Sequence, residues 1–519
     1  MRSRITVLAL LLIATAVPVS LRGQTAPTIT FNRRFAPPTG TVLVCGKGFS
    51  PYSSVVIQFD QVPIGQARTN GHGVFKTSVN IPGRAPEGTH IFTVTDGSGI
   101  SISPPFLIET DWPQQRFDPG NTANNPYEWK LNTTTVVTLM PAWNTVGRPG
   151  PCLGTTAIKS GGVIYFNSNY AGLQALDPAT GSLLWGFDRL GPDSENCPPA
   201  WGIPYASEVF GGSPTASPGV GHLVSVVSLG AVVAVNTVTH SEAWIRSGLD
   251  FLGFFGWPIS VGNSLFVATV NKSIDGINSG NLVSLNQFTG AVNWVGTDYV
   301  SQPIAYNNGV LYTRDGYLGI NGSQFCPSGY NAATGALAWY DTTLQCGFTG
   351  GLGAPASGGT ALYYGPLVGP SFEEPSALDT TTDNNTLWSL ADSQNPSKFA
   401  LSKGLLYLGW QDEAGFPFFG ALNTSDGSIA WGQLLSSAAS DPVVADGVVY
   451  FGHQVGDCSS GGFNNVIALD AINGSFLWIY AFPGPCSNGA LPVPSALVDG
   501  TLYVTNSTDG TTSDLWAFR

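Results

Sequence analysis

Charged side chains are scarce in this sequence. Only 10% of its 519 residues are Asp, Glu, Lys or Arg, where about 25% is usual. Yet 43% are hydrophobic and 11% aromatic. That combination excludes intrinsic disorder, which needs low hydrophobicity and high charge. The Ala, Glu, Lys, Leu and Arg enrichment of long-helix proteins is missing too. Lys and Arg number 20 against 33 Asp and Glu, a formal charge of −13, and the basic residues form no cluster. This argues against nucleic-acid binding by phosphate neutralisation and against anionic membranes. Histidine is rare: His72, His90, His222, His240 and His453. None has a second His at metal-ligand spacing. The chain also lacks HExxH, a GxSxG elbow, a Walker loop, CxxC-like spacing and a haem-attaching CxxCH.

Glycine and proline are abundant, at 65 and 37 residues. Short apolar runs lie between these turn-forming residues, which points to an all-β chain. The N-terminus reads MRSR, then ITVLALLLIATAV, then PVSLRGQTAP. A basic start, a short apolar core and a small-residue exit predict a secretory signal over residues 1–24 and an exported protein, periplasmic, surface-bound or extracellular. The apolar run is too short to be a comfortable membrane anchor. No Cys lies there to carry a lipid.

Residues 25–109 contain TVLVCGKGF, SVVIQF, GVFKTSVNIP and HIFTVTD. Their period-2 alternation predicts a small β-sandwich. This stretch resembles the immunoglobulin-like and TIG-like modules of bacterial surface proteins, which are usually spacers or adhesion units. Cys45, with no evident partner there, reads as a small buried residue.

Residues 110–519 are repetitive. ALDPATGSLLW ends at Trp185, and related segments end at Trp244, Trp294, Trp339, Trp388, Trp431 and Trp478. A second landmark is a small or Pro-containing strand, a tight turn and an apolar strand, as in DPVVADGVVYFG. It occurs eight times. A repeat near 45 residues with several short strands predicts a β-propeller. Eight four-stranded blades follow if the strand around Trp143 completes the last one. The repeat resembles the tryptophan-docking motif A-x-D-x-x-x-G-x-x-x-W of quinoprotein dehydrogenases and their non-enzymatic relatives. Ala175, Asp177, Gly181 and Trp185 match it in full, as do Ala468, Asp470, Gly474 and Trp478. The opening DWPQQRFDPGNTANNPYEWKLN also resembles that superfamily's entry segment. The resemblance implies a structural role for the eight tryptophans. Each would lie between blades, with its N–H on a backbone acceptor. In the enzymes of the family it implies pyrroloquinoline quinone and Ca²⁺ on the axis, an Asp base and a ring of adjacent cysteines. No two cysteines are adjacent here. Outer-membrane assembly propellers share the repeat, but they are lipoproteins without a leading sandwich.

The repeat register puts six cysteines on one rim. It selects the pairs Cys152–Cys197, Cys326–Cys346 and Cys458–Cys486 from the 15 pairings that six cysteines allow. Hairpins on the opposite face are minimal. Longer loops share the cysteine face, at about 188–211, 246–257, 271–281, 314–329, 366–376, 409–419 and 452–465. Trp201, Trp257, Trp410, Phe416, Glu373 and Asp412 are the candidate ligand residues of this aromatic and acidic rim. The carboxylate pairs Glu373/Glu374 and Asp412/Glu413 could in principle serve acid–base or calcium chemistry, but adjacent loop carboxylates are usually just solvated. The expectation is an exported, non-catalytic binding propeller for an envelope or extracellular protein, a peptide or a glycan. The alternative is a quinone-dependent alcohol or sugar dehydrogenase.

Overall fold

The computed structural model describes residues 26–146, 156–168, 172–187, 215–216, 222–228, 231–246, 253–270, 272–274, 277–296, 300–319, 322–340, 356–364, 374–381, 386–484, 486, 490–507 and 513–519. The expected signal, residues 1–24, lies outside them. The chain is all-β and separates into two compact units. The first takes residues up to Arg34, Gly40–Pro82 and Thr89–Leu107; the second takes Phe35–Thr39, Gly83–Gly88 and Ile108–Arg519.

In the first unit, strands Thr28–Phe31, Thr41–Lys47 and Phe75–Asn80 form one sheet. Strands Ser54–Phe59, Val62–Arg68, Gly88–Asp96 and Pro105–Ile108 belong to another. Their alternating residues meet in an aromatic core. Phe31 packs edge-on against Phe92 and Phe106, with centroids 5.0 and 4.8 Å apart. Cys45, half-buried, is a free thiol.

The second unit holds eight larger antiparallel sheets among the described residues, seven with four strands and one with five, in which Ser393–Gln394 and Ala400–Ser402 both pair with Leu405–Asp412. Their first strands are Ile158–Ser160, Thr215–Ala216, Gly253–Val261, Val300–Asn307, Ala356–Gly358, Ala400–Ser402, Val443–Ala445 and Val493–Val498. Each touches the next in this order, and the last touches the first. The sheets therefore close into a ring, the architecture of a β-propeller. In the eighth sheet, the outermost strand is Pro141–Asn144, paired with Asp514–Phe518 at the end of the chain.

The recurring residues explain how neighbours are joined. In all eight sheets the Trp of the outermost strand faces a small residue on the strand beside it. The pairs include Ala175 with Trp185, Gly329 with Trp339 and Ala468 with Trp478. A bulge follows the small residue in each of those three pairs, and bulges re-aim side chains. The indole then reaches into the following sheet. Trp143 Nε1 donates to the Pro178 carbonyl at 2.8 Å, Trp244 to Gln287 at 3.0 Å and Trp294 to Ala332 at 3.1 Å. Trp388 donates to Thr424 at 3.0 Å, Trp431 to Ala471 at 3.1 Å and Trp478 to Leu139 at 3.0 Å. Five of the six acceptors directly follow an Asp or Asn; Asp177, Asn286, Asn331 and Asp470 accept turn amides through Oδ1, whereas Asn423 Nδ2 donates across its turn to Ser428. Asp470 Oδ1, for example, accepts from the amides of Ile472 and Asn473. Trp339 differs: its buried Nε1 has no partner.

The turn glycine is required twice over. Gly474 has φ +72°, and a Cβ there would sit 2.5 Å from the Trp431 ring. Where the motif has His240 instead of Gly, the imidazole stacks on Trp185, with centroids 4.7 Å apart and planes at 17°. Gly474→Ala should therefore cost about 2–3 kcal/mol. Scanning calorimetry should show a lower midpoint, and an unchanged midpoint would contradict this docking.

Candidate binding face

Two faces of the ring differ in chemistry. First-to-second hairpins and the Asx-Gly turns share one face. Second-to-third turns and sheet-to-sheet connections share the other.

The hairpin face is filled by the entry segment. Trp112 exchanges two backbone hydrogen bonds with Lys159 of the first sheet, at 2.9 and 3.0 Å. Gln114 Oε1 accepts from Ser260 N of the third sheet at 3.1 Å. The Pro119 carbonyl accepts from Tyr306 N of the fourth sheet, and that of Thr122 from Leu401 N of the sixth. Ala123 O and Asn125 N bond both sides of Val444 in the seventh, and Asn125 Nδ2 donates to Leu497 O in the eighth at 2.8 Å. Sheets three and seven, and four and eight, lie across the ring from each other. Residues 112–125 therefore cross the bore. Trp112, Gln114, Gln115, Arg116, Phe117, Asn121, Ala123 and Asn125 are all buried. Arg116, Phe117, Asn121 and Ala123 have positive φ, conformations costly for non-glycine residues and kept only where surroundings enforce them.

Of the expected ligand residues, Asp412 and Phe416 lie at the opposite face. Region 409–419 is not a long loop. Strands Leu405–Asp412 and Pro417–Asn423 continue into it and leave a tight turn. Asp412 N donates to Phe416 O at 3.0 Å, and Asp412 Oδ1 accepts from Phe416 N at 2.8 Å. Asp412 thus caps this turn. Phe416 projects from its tip, 57% exposed, beside exposed Glu413. Trp410 is a correction: it is 7% exposed, stacked on Phe418 at 5.7 Å. It covers Gly420, where a Cβ would lie 2.8 Å from the indole, so it packs the sheet instead of facing a ligand. Region 314–329 is also mostly strand, Val310–Gly319 and Gly322–Asn331. Cys326 lies on the second of these and Trp257 on Gly253–Val261. Trp201, Glu373, Cys152, Cys197 and Cys346 lie outside the described residues.

Cys458 and Cys486 are joined, with Cα atoms 5.0 Å apart. The bond ties the turn after Val448–Val455 to the connection leaving the seventh sheet. Gln454 Nε2 approaches Cys458 Sγ at 2.7 Å. Nearby, Ser436 Oγ lies 3.2 Å from Nε2 of buried His453, an arrangement that invites comparison with a nucleophile and its base. His453 Nδ1 is buried without a partner, and burial lowers the imidazole pKa. A proton on Nδ1 would therefore be an unsatisfied buried donor. The favoured tautomer carries the proton on Nε2 and donates to Ser436, which leaves no base there. Among the described residues, no three His, Cys, Asp or Glu side chains could together hold a metal ion. With no adjacent cysteines either, the described side chains do not fit a quinone–calcium centre.

One recurring contact escaped the sequence reading. The Tyr of the apolar second strand hydrogen-bonds a Thr in the following sheet: Tyr165 with Thr237, Tyr312 with Thr380 and Tyr363 with Thr424. The signal was present, because the second landmark repeatedly carries Tyr at one position.

The family described as outer membrane protein assembly factor BamB matches residues 170–367 and 372–515. The chain belongs to that family. Among solved structures, the quinohemoprotein alcohol dehydrogenase of Comamonas testosteroni is 14% identical with a TM-score of 0.57, covering 79% of this chain and 80% of its own. A europium-containing methanol dehydrogenase has the same identity and score, covering 79% of this chain and 98% of that one. BamB from Moraxella catarrhalis is 16% identical with a TM-score of 0.44, covering 74% and 98%. At these identities the likeness is one of fold. No curated protein matches the sequence. Among the described residues, no helix is long and apolar enough to cross a membrane.

Reducing the 458–486 bond should release local restraint worth about 3 kcal/mol. Hydrogen-exchange protection of the Gly462 and Phe482 amides, both bonded in this region, should fall about a hundredfold in Cys458→Ala/Cys486→Ala. Amides of the sixth sheet should not change. Unchanged protection at Gly462 would show that the bond restrains nothing.

Proposed function

We propose that this family member is an exported, non-catalytic scaffold that binds a protein, peptide or glycan of the envelope or exterior. Contact would be made through the face of second-to-third turns. One observation carries this reading: residues 112–125 fill the opposite end of the bore and bond first strands of six sheets. The ring is thus a rigid, one-ended support, which preserves binding energy that a mobile surface would lose on ordering. The Cys458–Cys486 bond further stiffens the working face and suits an oxidising compartment. Exposed Phe416, held on a capped turn beside an acidic side chain, has the makings of a preorganised anchor. Residues 25–109 would serve as an immunoglobulin-like spacer.

Site-specific photo-crosslinking tests this directly. A crosslinker replacing Phe416 should capture an envelope component from cells of the source. One replacing exposed Ile472 on the hairpin face should not. Capture from position 472 alone would contradict the assignment of the face. Stoichiometric uptake of pyrroloquinoline quinone with Ca²⁺, followed by dye reduction with alcohols, would replace the scaffold with the dehydrogenase alternative.

A further inference from the structure

The hairpin face also holds a group of carboxyls that the binding reading does not use. Lys159, buried in the first strand of the first sheet, bonds both oxygens of Glu87 at 3.2 Å and the Thr110 carbonyl at 3.0 Å. Glu87 Oε1 accepts from Thr110 N at 2.9 Å. The Glu87 carboxyl lies beside that of Asp499, on the hairpin of the eighth sheet, and Asp499 pairs with Lys130. Two further carboxyls adjoin them. Glu109 has a buried Oε1 with no partner, and Asp111 accepts from Ser160 Oγ and Gly161 N at 3.3 and 3.0 Å. Four carboxyls thus meet two ammonium groups. Glu128 is otherwise engaged: it accepts from the amides of Trp129, Lys130, Leu131 and Gly500. The phenols of Tyr165 and Tyr503 face the group and stay neutral, because burial raises both.

Two ionised carboxylates side by side repel, and a proton on one of them removes that repulsion. We propose that Glu87, Asp499 and Lys159 form a proton-operated latch that holds residues 83–88 against the first and last sheets and loosens as the pH rises. Burial, then the Asp499 contact, pushes Glu87 above the ordinary carboxyl range. Despite burial, hydrogen bonds from Glu87 and Lys130 hold Asp499 low. Asp111 is pushed up to about 7 by burial and the charge of Glu109. The sign follows. Groups raised in the folded state favour their protonated form, so their contribution is complete below the ordinary carboxyl range. It is lost as the pH passes through the folded values, from about neutrality upward. Loss of the proton leaves two anions side by side, with Lys159 on Glu87 and Lys130 on Asp499 left to offset them.

Hydrogen exchange on the full-length protein tests the latch. In the wild type, the protection factor of the Thr110 amide should fall at least tenfold between pH 5 and pH 9. In Glu87→Gln the carboxamide can still donate to Asp499 and accept from Thr110, so protection should stay flat across that range. Flat protection in the wild type, or an equally steep fall in the variant, would overturn the proposal. If the variant does not fold, trypsin cleavage of the wild type after exposed Arg84 decides it, normalised to a reference peptide. A tenfold faster cut at pH 9 than at pH 6.5 supports the latch, and equal rates refute it.

Discussion

The ring depends on one repeated contact, an indole N–H given to a carbonyl of the next sheet's turn. A four-stranded sheet alone exposes two edges and cannot bury both faces. Trp143, Trp244, Trp294, Trp388 and Trp431 each cover the turn glycine of the following sheet and satisfy their own indole donor there. The same contact bridges the seam. Trp478 reaches Leu139 from the seventh sheet, and Trp143 of the N-terminal strand reaches Pro178 in the first. The two ends of the second unit are thus joined by the same indole bond that Trp244, Trp294, Trp388 and Trp431 make between other sheets. His240 shows how far the motif can stretch. It keeps the positive φ of the missing glycine and offers an aromatic face to Trp185.

The entry segment adds a second constraint of another kind. Its bonds run from one short stretch to strands up to several hundred residues away. The unusual backbone angles between Arg116 and Ala123 fit a chain that must turn sharply inside a narrow bore while feeding groups to several sheets. With that end filled, ligands are left one face. The acidic group around Lys159 sits at the filled end, so the proposed proton response and the proposed binding are separated in space.

The repeat was readable because its spacing reports packing directly. Asp177, Gly181 and Trp185 each do one local job, and those jobs recur in neighbouring sheets. The filled bore was not readable, since residues 112–125 have no periodicity and bond mainly through backbone. Region 409–419 misled for a different reason. Gly409, Gly415 and Pro417 look like loop punctuation, yet the first and last sit within or at the start of extended strands. Alternation along Leu405–Asp412 then turns Trp410 onto the sheet, while Phe416, on the turn, stays exposed. The pairing of Cys458 with Cys486 followed from repeat register alone, because both flank the same Trp-bearing strand.

Indole hydrogen exchange tests the closed, Trp-locked ring most directly. With ¹⁵N-labelled tryptophan, the Nε1–H groups of Trp143, Trp244, Trp294, Trp388, Trp431 and Trp478 should exchange slowly and at a common rate, set by opening of the whole ring. Fast, independent exchange at the seam residues Trp143 and Trp478, with the other four still protected, would contradict closure by this contact.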